Sequence, residues 1–468
     1  MKAPVLAIVA AAVLSACATP GGSPNATPAL ELPTQAATVP ALPADWWKQF
    51  GDEQLNALVE EAVAHNTDLA RAMARIDESR AALRLARAGQ LPSVNANLST
   101  ARARAIRNGS IPIPADVSAV GNNHRATLDV AYELDLWGRA ASASAAAREE
   151  LLSTTYARDT LRTALVAQVI QSYATLQSLD AQRSLFGRAV EAQRESLKLQ
   201  QLRLNAGDIG ELDIRQLEAE LLTNELQLPK LDRARGEAER ALAVVLGRSP
   251  RAIIEQNLPR ADKPVAAEAG LPAGLPSDLL LRRPDVQAAE ARLRAAGARV
   301  DAARAAYFPG IALTASLGRE SVELSRLTDG PSLIWSVVAS LTQPIWAGGR
   351  IAAQNDLAKA QRLQAELDYR DSVATAFREA RDALAAYEET RLSVQTGTQR
   401  AQALDRAAQL TRLRYEGGEA SRLNLIEAER DALTAQAFNA DARRALASAQ
   451  ADVFRALGGG WHKDGGGS

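Results

Sequence analysis

Two stretches of the chain repeat apolar residues at helical spacing over lengths that no compact domain uses. Residues 139–204 run 66 positions without proline and with one glycine, Gly187. Leu161, Leu165, Val169, Leu176 and Leu179 fall on one stripe. Ala, Leu, Gln, Arg and Glu dominate, all residues that lose little side-chain freedom on a helix. At about 1.5 Å per residue such a helix is roughly 100 Å long, so the pattern asks for an extended assembly. Residues 350–415, another 66 positions without proline, ask for the same.

Between these rods and the helices before them the period changes to two. After Pro92, Val94, Ala96 and Leu98 alternate with Ser93, Asn95 and Asn97. Ala126, Leu128, Val130, Tyr132, Leu134 and Leu136 share one face of the next run, opposite Arg125, Thr127, Asp129, Ala131, Glu133 and Asp135. Ile311, Leu313, Ala315 and Leu317 form a third apolar face, and Trp335, Val337, Ala339 and Leu341 a fourth. The alternation predicts strands at about 93–106, 124–136, 310–319 and 333–343. That is the length of strands that cross an outer membrane, apolar outside and mostly polar inside. Residues 109–123 and 320–330 are then external loops. Taken alone, the alternation equally fits an ordinary hairpin on a helical core. If the strands do cross lipid, four cannot close a barrel, and an open edge there leaves backbone groups unpaired at several kcal/mol each. The chain must then oligomerise.

The halves are copies. Asp68 and Pro92 recur as Asp285 and Pro309 at an offset of 217, and Arg139, Tyr173, Gly207 and Gly247 as Arg350, Leu384, Gly418 and Gly458 at 211. Leu136-Trp137-Gly138-Arg139 answers Ile345-Trp346 with Gly349-Arg350. Repeat 1 covers residues 52–247 and repeat 2 residues 277–458, joined by a connector at 248–276 with five prolines and followed by a glycine-rich tail at 459–468. Each repeat reads as helices (52–88; 278–306), two strands, a long helix, a turn, and a last helix at 211–246 or 422–457. Pro229 sits inside the first of these last helices where the second has Ala440. Because the apolar stripe continues across it, a bend rather than a break is expected.

Composition removes most chemistry. The net charge of −1 gives no reason to expect nucleic acid. The three histidines, His65, His124 and His462, lie far apart, and one cysteine, Cys17, excludes an internal disulfide. There is no Walker loop, GxSxG or HExxH, so neither an enzyme nor a cofactor is expected. Cys17 instead fits an address. A lysine at position 2 precedes a short apolar run and then Leu14-Ser15-Ala16-Cys17, which resembles a bacterial lipoprotein signal over 1–16 with acylation at Cys17. A plain secretory signal containing cysteine is the alternative. Ala18, rather than aspartate, follows the cysteine and favours the outer membrane. Residues 17–51 then form a proline-rich tether.

Trp46-Trp47-Lys48-Gln49-Phe50-Gly51-Asp52, with Leu55, Leu58, Ala62, Asn66, Asp68-Leu69 and Arg75, resembles the opening of the NodT-type branch of TolC-like outer membrane factors. The Pro92 break, Leu136-Trp137-Gly138-Arg139, Arg283-Pro284-Asp285, and Tyr415 with Gly418 and Leu423 extend the likeness over nearly the whole mature chain. The resemblance implies a fold that is mainly α with a membrane β part. Its duplicated long-helix and β-hairpin protomer would assemble as a homotrimer with a twelve-stranded β-barrel continued by a twelve-helix α-barrel. It further implies the outer-membrane exit duct of a tripartite efflux pump, embedded in outer-membrane lipid and reaching into the periplasm. The partners would be a periplasmic adaptor and an inner-membrane transporter, commonly of the resistance-nodulation-division type.

In such relatives the helical turns form a periplasmic tip where carboxylates and a tyrosine network narrow the pore. Carried over by position, the second tip offers Tyr415, Asn424 and Glu427, the asparagine standing where relatives often carry an acid. The first tip offers Asp208, Glu211 and Asp213. The arginine that locks the tip in some relatives falls at Ala420 here, with Arg422 two residues on. Asp213 and Asn424 also suit capping or starting the last helices. The rival readings are a lipid-anchored periplasmic coiled-coil scaffold, an adaptor-like export protein, and the duct of a type I protein-secretion system.

Overall fold

The four alternating runs form one antiparallel sheet in the order β1-β2-β3-β4, with β1 Ser93–Arg104, β2 Val120–Leu134, β3 Gly310–Ser321 and β4 Leu333–Thr342. The structure is a computed structural model that describes residues 43, 45–106, 114, 116, 118–255, 258, 260 and 280–459. The signal, Cys17, most of the tether and connector, and the tail from 460 onward lie outside the described residues.

Register shows why the alternation was legible. Ala96 pairs with Leu128, Leu128 with Leu317 and Leu317 with Trp335; Val94 pairs with Val130, Val130 with Ala315 and Ala315 with Val337. Side chains of directly paired residues share a face, so the four separate apolar faces merge into one. Strand limits move by a few residues. β2 begins at Val120 rather than 124 because ladder pairing continues from His124 to Val120 opposite residues 100–104, although the apolar alternation has ended there. Thus 120–123 is strand, not loop. β3 extends to Ser321, and the segment beyond it holds short 3-10 turns at Leu324–Arg326 and Gly330–Ser332.

The helices are α1 Glu53–His65, α2 Thr67–Ala88, α3 Arg139–Asn205, α4 Glu211–Glu225, α5 Gln227–Val245, α6 Pro250–Glu255, α7 Pro284–Ala305, α8 Arg350–Glu416 and α9 Arg422–Ala456, with a 3-10 turn at Trp46–Phe50 ahead of them. The two rods, α3 and α8, are both 67 residues long, one residue beyond expectation. Pro229 does interrupt its helix, between α4 and α5, but at one residue only. Leu226 keeps right-handed helical angles, φ −65° and ψ −19°. Proline lacks the N–H that would reach the Glu225 carbonyl, so one rung is lost while the path continues.

The chain divides into two units. One holds Ile76–Ser153 and Ala289–Tyr369, hence the sheet, while the other holds Thr154–Ala288, Arg370–Ser468 and the segment ending at Arg75. In the second unit the opening motif becomes core. Trp46, Trp47, Phe50, Leu55, Leu58 and Val59 are buried with Val169, Ile170 and Tyr173 of α3. The Trp46 ring stacks on Phe454 at 4.7 Å between centroids. Gly51 turns the chain at φ +65° so that Asp52 caps α1, accepting the Gln54 and Leu55 N–H groups at 2.8 and 3.0 Å. The buried Tyr173 hydroxyl donates to the other Asp52 oxygen at 3.0 Å.

The duplication survives as equivalent contacts. Asn66 caps α2 and donates through Nδ2 to the Val245 carbonyl at 2.8 Å. Its counterpart Arg283, at the offset of 217, donates to the Ala456 carbonyl at 2.9 Å. Arg283 also pairs with Asp285 and Glu379, each at 2.7 Å. Burial works against its charge, but the two carboxylates outweigh that and hold its pKa above the usual arginine value.

Candidate pore tip

The two inter-helix turns repeat atom for atom. After α3, the Gly207 N–H donates to the Leu204 carbonyl at 2.9 Å and the Asp208 N–H to the Arg203 carbonyl at 2.9 Å. After α8, Gly418 donates to Tyr415 at 3.0 Å and Glu419 to Arg414 at 2.8 Å. Both glycines are left-handed, φ +82° and +77°, the helix ending that a Cβ disfavours.

The helices that follow begin differently. α4 starts from Gly210 with no side-chain cap, whereas the Ser421 Oγ accepts the Asn424 N–H at 3.2 Å at the start of α9. The cap is therefore Ser421, not Asn424, which sits at the third helical position with its amide oxygen accepting from Ser421. Asp213 likewise lies in the first turn of α4 with Glu211, where a negative charge suits the amino end of the helix dipole. Spacing alone left capping and starting open, since a serine three residues ahead competes for the cap.

Asp208, Glu211, Asn424 and Glu427 are exposed, Asp213 and Tyr415 half-buried, and Arg422 buried. Glu211 holds Arg215 at 2.9 Å, and Glu218 holds it at 2.8 Å. The Glu211 hydrogen bond is the larger cause of a raised Arg215 pKa. Arg422 is brought to Tyr415, its guanidinium carbon 5.4 Å from the ring centroid, within cation–π range. It also donates to the Ser196 Oγ of α3 at 3.2 Å, so it ties the second repeat's turn to the first repeat's rod. Its Nε is buried without a partner among the described residues. No local pattern points to Ser196, because the residue lies 226 positions away in the chain. Nor does one pair Arg412 with Glu429, an ion pair at 2.6 Å linking α8 to α9. Ala420 places no charge near this turn. A groove of about 910 Å³ runs beside Ser196, Arg203, Arg412, Tyr415, Arg422 and Glu429. Among the described residues no cluster of three or more His, Cys, Asp or Glu could hold a metal, and no helix is long and apolar enough to cross a membrane.

Comparison with known proteins agrees with this architecture. The family model described as outer membrane efflux protein matches residues 58–248 and 275–459, one match in each half of the chain. The probable efflux pump outer membrane protein TtgC of Pseudomonas putida is 34% identical over 92% of this chain and 88% of its own length. Outer membrane protein OprJ of Pseudomonas aeruginosa is 35% identical over 91% and 88%. The crystal structure of the Campylobacter jejuni CmeC outer membrane channel superposes with a TM-score of 0.84 at 26% identity, covering 94% of this chain and 95% of that one. The duplicated rods, the four-stranded sheet and these matches make the chain a member of the outer membrane efflux protein family, a TolC-like channel subunit.

Proposed function

We propose that three copies of this chain form the outer-membrane exit duct of a tripartite efflux system. The duct would pass small molecules outward from a periplasmic adaptor and an inner-membrane transporter of the resistance-nodulation-division type, with acylated Cys17 as lipid anchor. The observation that carries the reading is the sheet. Its merged apolar face leaves Val94, Leu98, Trp335, Val337 and Leu341 between 58% and 78% exposed, which suits lipid and not water. β1 and β4 have no second neighbour among the described strands, an arrangement that in lipid requires further copies. The duct is passive, its energy coming from the inner-membrane partner, and no residue of it acts as a catalyst. The relative TtgC, a probable efflux pump outer membrane protein, supports the same reading by name.

The gate in this proposal is the pair of turns. Asp208, Glu211 and Asp213 line it from the first repeat, and Tyr415, Asn424 and Glu427 from the second. Arg422 holds the second turn shut through Tyr415 and Ser196. Docking of the adaptor shifts the population from closed to open tip. Planar-bilayer recording on purified protein tests the duct: discrete conductance steps from detergent-stable trimers are expected, and monomers without conductance would overturn it. Replacing Asp213 and Glu427 together with alanine should raise single-channel conductance, and an unchanged value would leave both as first-turn residues only. Mass measurement of the mature amino terminus, wild type against Cys17→Ala, tests the anchor; no acyl mass on Cys17 would refute it.

A further inference from the structure

At the foot of the sheet, one repeat of the chain grips the other. Trp137, just after β2, stacks on Phe308, just before β3, with ring centroids 4.7 Å apart and planes 19° apart. The same indole donates its N–H to the Pro309 carbonyl at 2.7 Å. Stacking and the polar handle together use everything a tryptophan offers at such a junction. Phe308-Pro309 corresponds to Leu91-Pro92 at the repeat offset of 217, and Leu136-Trp137 corresponds to Ile345-Trp346.

Among the described residues, the second set of these side chains has no such partner. Trp346 is 88% exposed and Ile345 91%, against 43% for Trp137, and Leu91 is 67% exposed. Two adjacent bulky apolar residues this bare are rare on a finished surface. Among the described strands of one chain, the second strand of a repeat meets the first strand of the next at one junction, β2 with β3, and Trp137 occupies it. The corresponding receptor for Trp346 is the first junction of another copy.

We infer that Trp346 of one copy seats on Leu91 of the next copy and donates its indole N–H to the Pro92 carbonyl there, reproducing between chains the Trp137–Phe308–Pro309 contact seen within one. The contact is head-to-tail: residue 346 of each chain meets residue 91 of its neighbour, so it is complete only when the ring closes. A collar of alternating Trp137 and Trp346 anchors then encircles the foot of the barrel. This rests on the oligomeric duct proposed above and adds which side chains hold the copies together.

The test uses the full-length lipoprotein in detergent, carrying Leu91→Cys and Trp346→Cys together or singly, treated with a short bis-maleimide. The double variant should convert most of the monomer band into covalent dimer and trimer, while either single variant remains monomeric on a denaturing gel. Trimers present before treatment but no intermolecular product from the double variant would overturn this contact and leave the duct standing. Absence of trimers altogether would overturn both. A second readout avoids the paired cysteines. Trp346→Ala should lower the temperature at which native trimers dissociate on a semi-native gel, and Trp346→Phe should restore most of the loss. An unchanged dissociation temperature in Trp346→Ala would refute the seat.

Discussion

The two repeats solve one problem with different residues. Each must fasten the turn before its second helix to the end of its last helix, and each does so by donating a side-chain N–H to the carbonyl two residues before a left-handed glycine. In repeat 1 the donor is Asn66, a neutral cap, and the glycine is Gly247 at φ +74°. In repeat 2 it is Arg283, a charged hub with two carboxylates, and the glycine is Gly458 at φ +94°. Repeat 1 is tight: a Cβ on Gly247 would lie 2.1 Å from the His65 carbonyl oxygen. Repeat 2 is less tight: a Cβ on Gly458 would meet the Arg283 Cγ at 3.2 Å and its Cα at 3.4 Å, close contacts that a shift of a few tenths of an ångström relieves. The lesson is that duplication preserves backbone geometry while leaving each copy free to choose packing or charge to hold it.

The tight side should break most sharply. Gly247→Ala combines left-handed strain with a backbone overlap and should cost roughly 4 kcal/mol in thermal or urea unfolding of the detergent-solubilised protein. Gly458→Ala meets the same strain but a milder overlap, with Arg283 rather than with a carbonyl oxygen at 2.1 Å, and should cost less, about 2 kcal/mol. Equal losses would show that the overlap at His65 is relieved by local movement and that the two ends are alike.

Next comes the charged hub. Arg283→Ala should cost about 3 kcal/mol, the low end for breaking a buried pair, because Asp285 and Glu379 keep side-chain exposures of 32% and 29%. Asn66→Ala removes a cap and should cost about 1–2 kcal/mol. A reversed order would mean that the hub is a solvated surface network.

Moving the proline between repeats sharpens the contrast in the last helices. Ala440→Pro, placed in the unbroken 35-residue α9, should cost about 3 kcal/mol. Pro229→Ala should join α4 and α5 and slow amide exchange at residues 226–228; exchange as fast as before would show that something other than the missing N–H opens Leu226. The smallest effect is at the tips. Ser421→Ala should lose about 1 kcal/mol and Gly210→Ser gain a few tenths. No gain at Gly210 would show that its turn cannot present a hydroxyl to the helix end.

Most of the architecture was legible because its signals are local. Long proline-free stripes and period-two runs depend on neighbours along the chain, and they coincide with the 67-residue α3 and α8 and with the runs that pair onto one sheet face. Strand ends were less legible, since β2 continues by backbone pairing through Gly121, Asn122 and Asn123, which carry no apolar signal. At the tip, the turn residues were named from sequence, but their roles depend on which side chain arrives from elsewhere. Asn424 proved to accept a bond from its cap, Ser421, and Arg422 proved to reach Ser196 and Tyr415.

Two copies, each with a rod, two strands and a glycine-ended turn, and one apolar sheet face can all be read along the chain. Periodicity and glycine placement suffice for that, because helix, strand and left-handed turn are set within a few residues. That Asn66 and Arg283 do the same work, that Trp137 is satisfied while Trp346 is bare, and that Arg422 bridges the repeats emerges only in the folded chain. Those facts depend on groups brought together over separations of 172 to 226 residues, where distance along the chain carries no information about distance in space.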